Sequence, residues 1–151
     1  EEYSESSVLS SGIWFKISVT EDDVYRIDYS LLVQLGLEYP ANPRIYSNNY
    51  GQLSYNNNDP KPDDLRESAI LTVSGSDGIF NEGDYLLFYG KGTNRWIYDE
   101  STGNYDFLRH NYSDTAYYFI TSDAGQGKSD NQDRNRYPAQ KYSGIRIKEP
   151  L

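Results

Sequence analysis

Apolar and polar positions alternate with period two along much of this chain. Phe15, Ile17 and Val19 interleave with Trp14, Lys16 and Ser18, an acidic cluster follows at Glu21-Asp22-Asp23, and Val24-Tyr25-Arg26-Ile27 resumes a strand-like run. Alternation on both sides of a three-residue polar break predicts a β-hairpin. The next residues predict a one- to two-turn helix near residues 28–35, packed on that hairpin. Asp28 or Ser30 is placed to cap its start, and Gly36 to end it in the left-handed conformation. Further strands are expected at residues 44–46, 69–73, 85–89, 95–98, 116–121 and 145–147. Asn- and Gly-rich breaks separate them, such as Asn48-Asn49-Tyr50-Gly51.

Many short strands divided by turn chemistry predict a mainly β fold, an antiparallel β-sandwich or barrel-like domain with that one helix. Residues 1–151 are expected to form a single domain. Residues 56–64, with two prolines, predict an irregular surface loop. Residues 126–136 form the most polar stretch and predict a mobile loop.

Composition narrows the function classes. At 151 residues the chain is long enough for a real core. Its 14 Lys+Arg against 23 Asp+Glu leave a net charge of −9, which argues against nucleic acid or an anionic membrane as the main partner. No apolar run is long enough to span a bilayer. The chain begins at Glu1 without Met and no signal peptide is legible, so it is expected to be a piece of something longer. Cysteine is absent, which removes any disulfide framework. Sixteen tyrosines among many Asn, Asp, Ser and Gly suit half-exposed sheet faces and point to an exported β-domain.

Candidate chemistry is sparse. There is no G-x-S-x-G elbow, Walker loop or H-E-x-x-H. Gly90-Lys91-Gly92 lacks the rest of a phosphate loop and predicts a tight turn. Asp77, Asn81, Glu82 and Asp84 offer the oxygens calcium prefers, yet miss the EF-hand spacing and predict ordinary turns instead. His110 is the single histidine and predicts a loop or strand-end residue. Neither a metal nor a cofactor is expected. Trp96 and Tyr98 share one strand face, with Arg95 and Ile97 on the other. Three roles stay open for that pair: core packing, contact with another domain, or a platform for a sugar.

Four stretches, in this order, resemble one bacterial family: SGIWFKISVTEDDVYRIDYSLL, PRIYSNNYGQL, GIFNEGDYLLFYGKGTNRWIYDESTG and YSDTAYYFITSD. The chain is similar to the region ahead of the peptidase domain in gingipain-like cell-surface cysteine peptidases of Bacteroidetes, in particular the PorU-like signal peptidases (sortases) of type IX secretion. Relatives tend to carry Gly where Asp23 stands, and a glycine run at Ser47-Asn48-Asn49.

The resemblance implies a downstream peptidase domain, outside these residues, that holds a catalytic His and Cys. It also implies a non-catalytic role for this piece: supporting, positioning or gating that domain, or inhibiting it as a prodomain does. The implied partners are that domain, components of type IX secretion and the sorting domains of cargo. The parent would remove the sorting signal and join the new end to a surface lipopolysaccharide. Its expected location is the outer-membrane-associated cell surface. Trp96 and Tyr98 lie in the third stretch and Arg109 shortly precedes the fourth; these three are the candidate domain-contact or ligand residues. The alternative is a free-standing carbohydrate-binding β-sandwich module of a surface or periplasmic protein.

Overall fold

The computed structural model describes residues 5–48 and 51–122. After a short 3-10 turn at Val8–Ser10, the chain forms β1 (Phe15–Val19), β2 (Asp23–Asp28), α1 (Tyr29–Leu35), β3 (Arg44–Ser47), β4 (Arg66–Ser68), β5 (Ile70–Val73), β6 (Tyr85–Gly90), β7 (Arg95–Asp99), β8 (Asn104–Leu108) and β9 (Ala116–Thr121). All strand pairs are antiparallel. One sheet has the order β1-β9-β3-β4, a second β2-β6-β5, and β7 and β8 form a two-stranded ribbon of their own. The fold is mainly β with one α-helix, as the alternation predicts, and its sheets do not close into a barrel.

The two larger sheets share one core. Val19, Ile45, Tyr118 and Ile120 of the first meet Ile27, Ile70, Leu86 and Phe88 of the second, with Leu32 of α1, Leu37 and Phe80 in the same cluster. Alternation places them there. In β9, Tyr118 and Ile120 are buried while Tyr117, just before them, is exposed, and in β1 Phe15, Ile17 and Val19 lie inward of Lys16 and Ser18. Phe88 bridges the layers through ring contacts to Tyr25 at 5.6 Å and Tyr118 at 5.3 Å.

The expected first hairpin does not form. β1 pairs with β9, whereas β2 pairs with β6, so the chain passes from one sheet to the other at residues 20–22. Two-residue hairpin turns that match strand twist need positive φ, and no non-glycine residue among those described has it. Asp23 is a strand residue, not a substitute for a turn glycine. The Asp22 carboxylate instead accepts from the Gly92 N–H at 2.7 Å, which seats the turn after β6 on this crossing. A side chain at Gly92 would lie 2.7 Å from the Thr20 carbonyl oxygen, so glycine is needed for the approach.

A second crossing ties the sheets together. β4 pairs with β3 in the first sheet and β5 with β6 in the second, with only Ala69 between them. The single strand expected at residues 69–73 is therefore two, extended upstream through Arg66–Ser68. Arg44 clamps this corner with a bidentate contact to Glu67, 3.1 and 2.8 Å, both side chains being nearly buried.

The helix falls at the predicted place. Gly36 closes it at φ 84°, its N–H donating to the Val33 carbonyl while Leu37 donates to Leu32. Asp28 occupies the N-cap position, but its carboxylate takes Arg26 at 2.7 Å rather than a helix N–H. Residues 56–64 carry neither helix nor strand, in line with their prolines. The expected loop at 126–136 and strand at 145–147 lie outside the described residues.

The inward faces set stability. Ile120 has no exposed surface, so Ile120→Ala should lower the unfolding free energy by about 2–5 kcal/mol. Tyr117→Ala, on the outward face of the same strand, should cost well under half of that. Urea denaturation of both variants tests this; equal losses would mean the face assignment in β9 is wrong.

Candidate functional site

The ribbon β7–β8 carries the residues with functional promise. A four-residue turn at 100–103 joins its strands. Asp99 builds that turn by accepting from the Ser101 N–H at 2.9 Å and from the hydroxyls of Ser101 and Thr102 at 2.7 and 3.0 Å. Gly103 takes φ 67°, and its N–H returns to the Asp99 carbonyl at 2.9 Å. These contacts, the Ser101 hydroxyl foremost, lower the Asp99 pKa below its ordinary value.

Register places Trp96 opposite Phe107 and Tyr98 opposite Tyr105. The ring pairs are tilted, with centroids 4.9 and 5.0 Å apart, in the range of favourable aromatic contacts. Four aromatic rings thus occupy one face of the ribbon, and all stay open to solvent: Trp96 is 68%, Tyr105 66%, Phe107 53% and Tyr98 50% exposed. That removes core packing from the three roles left open by the sequence. Ile97 and Leu108 are also about half exposed, so neither face of the arm is covered among the described residues. A two-stranded ribbon without a third strand is marginal in water, and the cross-strand rings supply part of what holds it.

Tyr105 and Phe107 escape a reading of the sequence because the expected strands do not include β8. Its signal is present: aromatics two apart, mirroring Trp96 and Tyr98 across a turn that ends in Gly103.

Arg109 stands apart from the aromatic pair. It follows β8 at the root of the arm, where it lines an open cleft of about 620 Å³ together with Asn94, Tyr117 and the loop at 110–115. That loop is fixed by side-chain acceptors. Asn94 Oδ1 takes the His110 N–H, Gln52 Oε1 takes that of Asn111, and His110 Nδ1 takes those of Tyr112 and Ser113 at 3.1 and 3.0 Å. His110 is therefore a loop organiser, consistent with its expected place at a strand end. Tyr55 and Tyr112, both exposed, join their hydroxyls at 3.0 Å. Bonds from Tyr112 and Asn111 lower the Tyr55 pKa, and the bond to Tyr55 raises that of Tyr112.

The acidic loop after β5 behaves as turn chemistry. Asp77 accepts from the Ile79 N–H and the Asn81 amide, and Asp84 accepts from the N–H groups of Gly75 and Asn81. The Ile79 N–H first, then Asn81, lower the Asp77 pKa.

These features define a class: a β-sandwich-like domain that projects an uncovered aromatic arm above a polar cleft. The chain is similar in structure to part of the dimeric latent PorU of Porphyromonas gingivalis, with a TM-score of 0.65 and 26% identity over 82% of this chain. It spans about a tenth of that PorU chain (10%). No family model matches the sequence, and no curated protein does. The fold and this likeness suggest a PorU-related domain.

The turn that closes the arm has a predictable acid limit. A folded-state pKa below the unfolded one means that the stabilisation from Asp99 is complete above the ordinary aspartate value of 3.8 and fades as pH falls through the depressed folded value. In an NMR titration, the amides of Ser101 and Thr102 should move with a midpoint below 3.8. A midpoint at or above it would deny the carboxylate its role in the turn.

Proposed function

We propose that this chain is the non-catalytic N-terminal domain of a PorU-like surface peptidase, exported to the outer-membrane-associated cell surface. In this reading it supports and positions a cysteine peptidase domain that lies downstream in the same protein. The observation that carries the reading is the uncovered aromatic arm of a domain whose structural counterpart is only a tenth of a PorU chain (10%). Rings left half or more exposed on a ribbon to which no third strand pairs among the described residues are in place to dock against further protein, where Trp and Tyr are favoured anchors. The chain has no cysteine to serve as a thiol nucleophile, so catalysis of that type is assigned to the remainder of the protein.

Trp96→Ala tests the docking role. In the 151-residue chain the substitution should change global stability by less than about 1 kcal/mol, because the ring is mostly in solvent. In the full-length protein it should weaken attachment by about 2 kcal/mol or more, seen as faster limited proteolysis between the domains. Unchanged proteolysis in Trp96→Ala and in a Trp96→Ala/Phe107→Ala double variant would refute docking through this face. The isolated chain should leave sorting-domain substrates intact; cleavage by a rigorously purified sample would overturn the non-catalytic assignment.

A further inference from the structure

We propose that the cleft at the root of the arm binds a sugar ring, with Arg109, Asp114 and Tyr112 as its contacts. The proposal does not rest on the docking reading, which concerns the aromatic face above. The chemistry of the lining points to it. No aliphatic side chain lines the cleft among the described residues; its walls are amides, hydroxyls, one guanidinium, one carboxylate, the His110 imidazole and tyrosine rings. A peptide segment bound through apolar side chains calls for apolar pockets, which this lining does not provide. A pyranose, with hydroxyls around its rim and a flat C–H face, matches amides and acids beside an aromatic ring.

Unspent capacity supports the same ligand. The loop at 110–115 uses Asn94 Oδ1, His110 Nδ1 and Ser113 Oγ to satisfy its own N–H groups, which holds the wall in place before any ligand arrives. Among the described residues, Arg109 makes neither an ion pair nor a hydrogen bond. Among the same residues, Asp114 receives a bond only at Oδ1, from the Thr115 hydroxyl at 2.8 Å. The two opposite charges line one cleft without pairing with each other. A polyhydroxyl ligand fits between such groups, accepting from the guanidinium and donating to the carboxylate. Tyr112 is 76% exposed, with its hydroxyl tethered to Tyr55, and so presents a ring positioned for stacking. A volume of about 620 Å³ admits one or two rings.

The test is titration of the 151-residue chain with glucose, galactose, mannose, N-acetylglucosamine, glucuronate and a short oligomer of each, followed by amide NMR. Saturable shifts confined to residues 109–115 are expected with at least one sugar, with a Kd on the order of 1 mM for a monosaccharide. The oligomers distinguish recognition of a free ring from that of a chain end. Arg109→Gln and Tyr112→Ala should each weaken binding about tenfold while thermal melting stays unchanged, and Trp96→Ala should leave it unaltered. No saturable shift with any sugar would overturn the proposal. So would binding that survives both cleft variants, or binding lost in Trp96→Ala, which would move the ligand to the aromatic face. An acidic peptide that binds more tightly than every sugar, in an Arg109-dependent way, would replace the sugar with a protein partner.

Discussion

The structure depends on one constraint: the inner faces of two separate sheets must be buried against each other, and the chain achieves this by changing sheets within short segments. Between β1 and β2 the change takes three residues, and between β4 and β5 it takes one. The first crossing places apolar residues of neighbouring sequence, Val19 and Ile27, in the same core from different sheets, and the second passes from the polar strand β4 to Ile70 of that core. The sheets are therefore joined covalently at their edges as well as packed at their centres, and the Arg44–Glu67 clamp and the Asp22–Gly92 contact hold the two corners. Separating the layers would expose Leu86, Ile120 and Leu32 together, none of which has any surface in the folded state.

Strand positions are legible in the sequence because period-two alternation reports which residues face inward, and burial rewards that pattern in any pairing. Residues 116–121 and the helix ended by Gly36 are where the alternation and the capping residues place them. Pairing is not legible. Alternation is the same whether β1 pairs with its neighbour or with a strand about a hundred residues away, and only the absence of a glycine in Glu21-Asp22-Asp23 hints that no tight hairpin turn forms there. Arg66–Ser68 escapes notice because a short polar edge strand carries almost no apolar signal.

The candidate site shows the same division. Trp96 and Tyr98 share a face, as spacing by two requires, but the pairing with Phe107 and Tyr105 that turns two rings into four comes from register. Arg109, adjacent in sequence to β8, belongs to a different surface feature, the cleft. That cleft is assembled from loop residues whose positions follow from side-chain acceptors such as Asn94 and Gln52, distant in sequence and without any periodic signature.

The ribbon also has a kinetic consequence. Among the described residues its two strands form a ladder only with each other, so opening them breaks a single short ladder and leaves the core cluster untouched. Proteins open locally wherever few interactions have to break, independently of their global stability. The arm should therefore open and reclose many times within one lifetime of the folded sandwich. A surface that covered its rings would slow that motion directly, making the exchange of its backbone hydrogens a clock for how long a partner stays.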